Sequence, residues 1–144
     1  MPINRSRKVQ AAYDDYSRTA DPAVCAFCAA KKGDDQLVEE YTYFKVLKNN
    51  FGYSMWDGQD VADHLMVVPK EHTDSLAGMT ADQKVEYVDI ITAYESRGYD
   101  IYARAPHSPM KSVVHQHTHL IKPAAGKPKR FLLYVDKPYI RWMF

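Results

Sequence analysis

Apolar residues along the chain fall mainly into short runs of the length that β-strands have. This pattern predicts antiparallel strands over 37–47 (LVEEYTYFKVL) and 63–70 (DHLMVVPK), separated by a long loop over 49–62. Three later segments, rich in aromatic and β-branched residues, predict further strands or extended segments: 99–105 (YDIYARA), 130–136 (RFLLYVD) and 139–144 (YIRWMF).

Two other segments predict helices. Residues 5–18 (RSRKVQAAYDDYSR) predict a short surface helix. Residues 81–97 predict the main helix, because Thr80 and Gln83 have the spacing of a capping box at its start. Its apolar residues recur at helical spacing, as at Val85, Val88 and Ile91. The chain is therefore predicted to be α+β: a mostly antiparallel sheet with one main packed helix, plus a short N-terminal helix.

The composition is ordinary for a globular domain, with 46% hydrophobic and 26% charged residues among 144. We therefore expect a single domain over 1–144. The formal net charge of +1 gives no indication of a nucleic-acid or anionic membrane partner. No apolar run reaches the ~20 residues of a membrane-spanning helix, and the first ten residues lack the apolar segment of a secretory signal. These features predict a cytoplasmic protein with reduced cysteines.

Three of the six histidines stand at alternate positions in SVVHQHTHLIKP, residues 112–123. The flanking apolar residues predict a strand through this segment. Alternate side chains of a strand share a face, so His115, His117 and His119 are expected to lie side by side.

Three interpretations of this row are open. Chance placement is one, and a catalytic zinc site with three histidine ligands is another. Along a strand, however, His115 and His119 would be separated by about 13 Å, too far to share one tetrahedral ion easily. The third interpretation is a row of imidazoles that faces a polyanion, in which a neutral ring attacks phosphorus and its neighbour donates to phosphate oxygens.

Cys25 and Cys28 form a Cys-x-x-Cys motif and are the chain's two cysteines. They can be a buried pair, a redox dithiol or half of a zinc site. The zinc site needs two further ligands from elsewhere in the chain, and the presence of the histidines favours this interpretation.

Four motifs in order resemble those of the histidine triad (HIT) superfamily of nucleotide hydrolases and transferases. HQHTHLI (115–121) is similar to its His-x-His-x-His signature, and DHLMVVPKEH (63–72) is similar to its preceding strand. NNFGY (49–53) and CAFC (25–28) match two further blocks. The resemblance covers roughly residues 24–123 and leaves the two ends of the chain unplaced.

The resemblance implies roles for individual residues. His117, the middle histidine, would be the nucleophile that forms a nucleotidyl-imidazole intermediate, and His119 would hydrogen-bond phosphate oxygens. Ser112 matches a residue that contacts phosphate, and Asn49 matches one that holds the ribose or base. A homodimer is also implied, formed across a helix and an edge strand.

In the zinc-bearing branch of this superfamily, the resemblance implies four ligands: Cys25, Cys28, His72 and His115. A closed Cys₂His₂ set is a structural zinc site, since it leaves no position for water. Such an ion would fix His115 and thereby support the segment that carries His117.

Two of the departures from the family pattern introduce positive charge. Arg104 stands where many members have asparagine, and Lys111 stands where the hydrolase branch often has glutamine. If both side chains point inward, two cations face the phosphates, which would suit a polyphosphate or a phosphorylated leaving group. Both can equally be surface charges on a turn.

The function expected from these residues is displacement at the α-phosphorus of a nucleotide derivative, such as a dinucleoside polyphosphate or a nucleoside phosphoramidate. The enzyme would be a hydrolase or a nucleotidyl transferase. The alternative is a zinc-stabilised nucleotide-binding or regulatory module with little catalysis. A catalytic zinc hydrolase is a third, weaker hypothesis.

Overall fold

The computed structural model describes residues 4–126, 131–133 and 141–143. The helices are α1 (Arg7–Thr19), α2 (Ala26–Ala29) and α3 (Ala81–Glu95). The strands are β1 (Leu37–Glu40), β2 (Phe44–Lys48), β3 (Met55–Trp56), β4 (Gln59–Pro69), β5 (Asp100–Ala103), β6 (Thr118–Pro123), β7 (Phe131–Leu133) and β8 (Arg141–Met143).

Both predicted helices are present, and their first turns are capped as the sequence indicates. The Ser6 hydroxyl accepts from the backbone N–H of Val9 at the start of α1. The complete capping box of Thr80 and Gln83 begins α3. In the part of the chain that the structure describes, no helix has the length and apolar character needed to cross a membrane.

The main sheet is antiparallel, with strand order β1-β2-β4-β6-β5 and with β3 paired to the start of β4. The predicted α+β class is therefore confirmed. The loop predicted over 49–62 is shorter than expected, because β3 and β4 form a hairpin at Asp57-Gly58. Both of these residues have positive φ, as a tight hairpin turn requires.

The run predicted as one strand over 37–47 is instead the hairpin of β1 and β2. The turn between them is held by the Glu86 carboxylate of α3, which accepts from the backbone N–H groups of Thr42, Tyr43 and Phe44. The two predicted C-terminal strands are present as β7 and β8, which pair antiparallel. The remainder of those predicted segments lies outside the described residues.

One face of the sheet packs on α3 and forms a core. Val46, Leu65, Val67 and Leu120 meet Ile90 and Tyr94 of α3, all at most 5% exposed. Two of the apolar residues that predicted the helix, Val85 and Val88, are instead 62% and 50% exposed. The helix therefore presents two apolar side chains to the outside, and its buried side is centred on Ile90 and Tyr94.

The opposite face of the sheet packs on α2 and carries the histidines. Phe27 and Ala30 meet Leu47, Met66 and Val68 there, in a second buried cluster. Because neighbouring strand residues point to opposite faces, His64 and Met66 of β4 lie on this side, whereas Leu65 and Val67 face α3.

The predicted strand over 112–123 is half correct, since β6 begins only at Thr118. The ladder cannot extend upstream beside the end of β4, because Pro69 has no N–H to donate. The Pro69 carbonyl instead contacts the His115 ring, and the backbone N–H of Gln116 donates to Thr73 O. His115 and His117 therefore lie in the bend before the strand, and only His119 lies within it.

Candidate active site and metal centre

A cavity of about 340 Å³ opens on the histidine-bearing face of the sheet. Five of the six residues predicted to act on substrate line it: His117, His119, Asn49, Ser112 and Arg104. Lys111 lies outside it. Its ammonium group donates to the carbonyl of Asp74 at 2.8 Å and to Oε1 of Gln116 at 2.7 Å. The structure thus gives Lys111 a contact that fixes the bend next to His117.

His117 is held in one tautomer by the backbone. Its Nδ1 lies 2.9 Å from the carbonyl oxygen of His115. Because a carbonyl only accepts, Nδ1 carries the proton and donates, and Nε2 keeps its lone pair. Burial lowers the pKa of His117, and the positive charges of Lys111 and Arg104 act in the same direction. The result is a neutral imidazole with a free nucleophilic nitrogen beside a cavity.

His119 is held in the complementary tautomer by a chain of two hydrogen bonds. The backbone N–H of Tyr53 donates to Nδ1 of His64 at 2.8 Å, so the proton of neutral His64 is on Nε2. That nitrogen lies 2.9 Å from Nδ1 of His119, which therefore accepts and leaves the His119 proton on Nε2. Burial is the main cause that lowers the pKa of His64 to about 4 and that of His119 to about 2, so both rings are neutral.

The two neighbouring rings thus differ in what they offer. His117 has a lone pair on Nε2, and His119 has an N–H on Nε2. Their centroids are 4.8 Å apart with the planes nearly perpendicular, at 83°. One ring can attack an electrophile while the other donates a hydrogen bond to the same group.

Asn49 takes part in the same arrangement from the loop after β2. Its Oδ1 accepts from the backbone N–H of Phe51 at 3.0 Å, which fixes the turn, and its Nδ2 lies 3.3 Å from Nε2 of His64, which carries a proton and so cannot accept from it. Ser112 is an exposed residue at the cavity wall. Both positions allow contact with a ligand that lies over the histidines.

Part of the cavity wall comes from the N-terminal segment, which the sequence reasoning did not connect with the site. Arg5, Gln10, Tyr13 and Tyr16 all line the cavity. Tyr13 and Tyr16 pack on Phe51, with ring centroids at 5.4 and 5.1 Å. A signal was present in the sequence, because Val9, Tyr13 and Tyr16 are the large apolar residues of this helix and recur at helical spacing.

The four predicted metal ligands come together on the same side of the sheet. Sγ of Cys25 and Cys28 and one ring nitrogen each of His72 and His115 all lie within 4.8 Å of one another. Sγ of Cys28 is 3.2 Å from Nδ1 of His72 and 3.4 Å from Nδ1 of His115. In a tetrahedral zinc site, sulfur and nitrogen ligands are about 3.6 Å apart, so this arrangement fits a metal ion.

His115 is positioned as metal-binding histidines usually are. Its ring is fully buried, and Nε2 donates to the carbonyl of Pro69 at 3.0 Å, so that Nδ1 faces the cysteines without a proton. The same residue offers its backbone carbonyl to His117. An ion held by these four residues would therefore support His117 through the backbone of His115.

The fold matches known structures, although the sequence has diverged. No protein-family model matches the chain, and no curated protein matches it. A HIT family hydrolase from Clostridium thermocellum is similar, with a TM-score of 0.54 at 18% identity over 76% of this chain and 98% of that one. A HIT family hydrolase from Legionella pneumophila gives 0.52 at 18% identity over 71% and 95%.

These comparisons define the class of fold. The chain has the HIT fold, as the motifs predicted. The four residues of the Cys₂His₂ cluster lie close enough together to hold a metal ion, as the zinc-bearing branch suggested by the sequence would require.

Proposed function

We propose that this protein is a nucleotide hydrolase or nucleotidyl transferase that acts at the α-phosphorus through a nucleotidyl-His117 intermediate. The observation that carries this proposal is the hydrogen bond from Nδ1 of His117 to the carbonyl of His115, 2.9 Å long. It leaves the Nε2 lone pair of a neutral ring beside the cavity, which is the state a nucleophilic histidine needs.

The reaction has two displacements. Nε2 of His117 attacks the α-phosphorus, the bond from phosphorus to the leaving group breaks, and the leaving group departs with the electron pair and takes up a proton. Water then attacks the same phosphorus and gives up a proton, which balances the one taken up by the leaving group; the N–P bond breaks, and a nucleoside monophosphate is released with the ring restored. Phosphate in place of water would make the enzyme a phosphorylase.

His119 is proposed to donate from Nε2 to a non-bridging oxygen of the α-phosphate. Charge increases on those oxygens in the transition state, so a fixed donor stabilises that state more than the bound substrate. Ser112 and Asn49 are proposed to position the phosphate and the nucleoside, respectively. Their place on the cavity wall supports these roles.

We also propose that Cys25, Cys28, His72 and His115 bind a structural zinc ion. A closed set of four protein ligands stabilises the fold and leaves no position for a reacting water. Ligation needs both cysteines as free thiolates and not as a disulfide, so a reducing compartment such as the cytoplasm belongs to this proposal.

A homodimer is the proposed assembly. Val85 and Val88 of α3 are at least half exposed, and Ile101 of the edge strand β5 is 38% exposed. Because β5 is the last strand of the main sheet among the described residues, a second copy that covers these residues would also cover that edge.

Incubation with a panel of nucleotide derivatives tests the function. The wild-type protein is expected to release a nucleoside monophosphate from a phosphoramidate or a dinucleoside polyphosphate, and His117→Ala is expected to bind both without release. Turnover by His117→Ala would contradict the mechanism. Binding without release by the wild-type protein would favour the regulatory module instead.

A further inference from the structure

Two arginine side chains enter the cavity beside the same tyrosine. Nη2 of Arg104 donates to the hydroxyl of Tyr53 at 3.2 Å. The guanidinium carbon of Arg5 lies 5.9 Å from the centroid of the Tyr53 ring. Both residues line the cavity that contains His117 and His119. Residues 5 and 104 are far apart in sequence, and the fold alone brings these two charges together.

Arg5 is held in place by groups that leave most of its donors available. Its Nε donates to the carbonyl of Phe51 at 2.8 Å, and its guanidinium carbon lies 4.4 Å above the centroid of Tyr13. The segment before α1 is also fixed, because the carbonyl of Asn4 accepts from the backbone N–H groups of Ser54 and Met55. The guanidinium group is therefore ordered before any ligand binds, which lowers the entropy cost of binding.

Neither arginine has a carboxylate partner in the part of the chain that the structure describes. Both are half-buried, so each has lost part of its hydration. Two unpaired, partly dehydrated cations next to the reacting rings form a site for an anion.

This pair of cations differs from the pair that the sequence suggested. Lys111 was the expected companion of Arg104, but its ammonium group is hydrogen-bonded to Asp74 and Gln116 outside the cavity. Arg5 occupies the cavity in its place. A guanidinium group is also better suited than an ammonium group to bind phosphate through two parallel hydrogen bonds.

We propose that Arg5 and Arg104 together bind the phosphate groups of the leaving group, and that they make the site selective for nucleotides whose leaving group is itself phosphorylated. The selectivity rests on the proposed function, whereas the binding of a phosphate chain does not. The substrate class is a nucleoside polyphosphate or dinucleoside polyphosphate, in preference to a phosphoramidate with a neutral amine as leaving group.

The binding step is tested with inorganic pyrophosphate by isothermal titration calorimetry on the full chain. Arg5→Gln and Arg104→Gln are each expected to raise Kd at least tenfold. Arg7→Gln is the matched control, since Arg7 is an exposed residue of α1 outside the cavity and is expected to change Kd less than twofold. Equal Kd values for wild type and Arg5→Gln would overturn the proposal, as would a loss of pyrophosphate affinity in Arg7→Gln as large as that in Arg5→Gln.

Thermal melts of the variants verify that they fold. Arg5→Lys, which keeps the charge, is expected to recover part of the affinity that Arg5→Gln loses.

The selectivity step is tested by comparing two substrates of the same nucleoside, a triphosphate and a phosphoramidate. Selectivity is measured as kcat/KM for the triphosphate divided by kcat/KM for the phosphoramidate. Arg5→Gln is expected to lower this ratio at least tenfold, and Arg7→Gln is expected to leave it unchanged. An unchanged ratio in Arg5→Gln would overturn the selectivity. If the wild-type protein cleaves neither substrate, the proposed function fails, and pyrophosphate binding still decides whether the arginine pair binds a phosphate chain.

Discussion

Nε2 of His64 lies 2.9 Å from Nδ1 of His119, and this contact joins the two central strands of the sheet. His119 pairs with Met66 in the ladder between β4 and β6, so His64 is its diagonal neighbour on the same face. Both rings are 5% exposed. The backbone N–H of Tyr53 donates to Nδ1 of His64, so Nε2 of His64 carries the proton that Nδ1 of His119 accepts. The contact therefore determines that Nε2 of His119 is the nitrogen that can donate to a ligand.

Removing this contact is expected to impair catalysis more than binding. His64→Phe keeps a ring in place but leaves the Tyr53 N–H and Nδ1 of His119 without their partner. We expect about a ten- to hundredfold loss in kcat with a smaller change in KM, and a loss of about 1–3 kcal/mol in the free energy of unfolding. His107→Phe, at an exposed turn, is the control and is expected to change neither. Long-range ¹H–¹⁵N spectra that show the same His119 tautomer in His64→Phe would contradict this role.

The buried state of His64 predicts a pH dependence of stability. Burial, the largest cause, lowers its pKa in the folded protein to about 4 from an ordinary value of 6.5. Between these values, the unfolded chain binds a proton that the folded chain does not, so stability falls as the pH drops from about 6.5 to about 4. Urea titrations at several pH values measure this. The slope of the free energy of unfolding against pH, between pH 4 and 6.5, is expected to be smaller in His64→Phe than in the wild-type protein. Identical slopes would show that His64 does not contribute.

Metal removal is expected to lower the stability of the fold, because the proposed ion is structural and not catalytic. Metal analysis should find one zinc ion per chain, and a chelator or His72→Ala should lower Tm by several degrees or more. His107→Ala, also an exposed histidine, serves as the control and should retain both metal and Tm. Chelation that stops turnover at unchanged Tm would instead indicate a catalytic metal.

The exposed apolar residues of α3 predict where the copies of a dimer meet. Val88→Asp is expected to convert a dimer into a monomer in light scattering coupled to size-exclusion chromatography, because burial of a charge without a partner is costly. Ala93→Asp, at another exposed position of the same helix, should leave the mass unchanged. A wild-type protein that elutes as a monomer at all concentrations would rule out this assembly.

The sequence predicted the elements with strong local signals. The capping box of Thr80 and Gln83 and the apolar runs of the central strands are properties of neighbouring residues, and the structure has the corresponding helix and sheet. The four metal-site residues were found through a known motif, and they lie together.

What the sequence did not predict depends on contacts between distant residues. Arg5 reaches the cavity because Phe51 and Tyr13 hold it there, and Lys111 stays outside because Asp74 and Gln116 hold its ammonium group. The start of β6 at Thr118 depends on Pro69, which belongs to the neighbouring strand. Local patterns do not contain this information, since each contact joins residues that only the fold makes neighbours.

The central claim is that Nε2 of His117 becomes covalently bonded to phosphorus during turnover. The most direct measurement is rapid quenching of the reaction with a substrate radiolabelled at the α-phosphorus, under alkaline conditions that preserve phosphoramidate bonds, followed by peptide mapping. The account predicts a nucleotidyl group on the peptide that contains His117, and none in His117→Ala. Label on another residue, or turnover with no labelled protein at any time point, would contradict it.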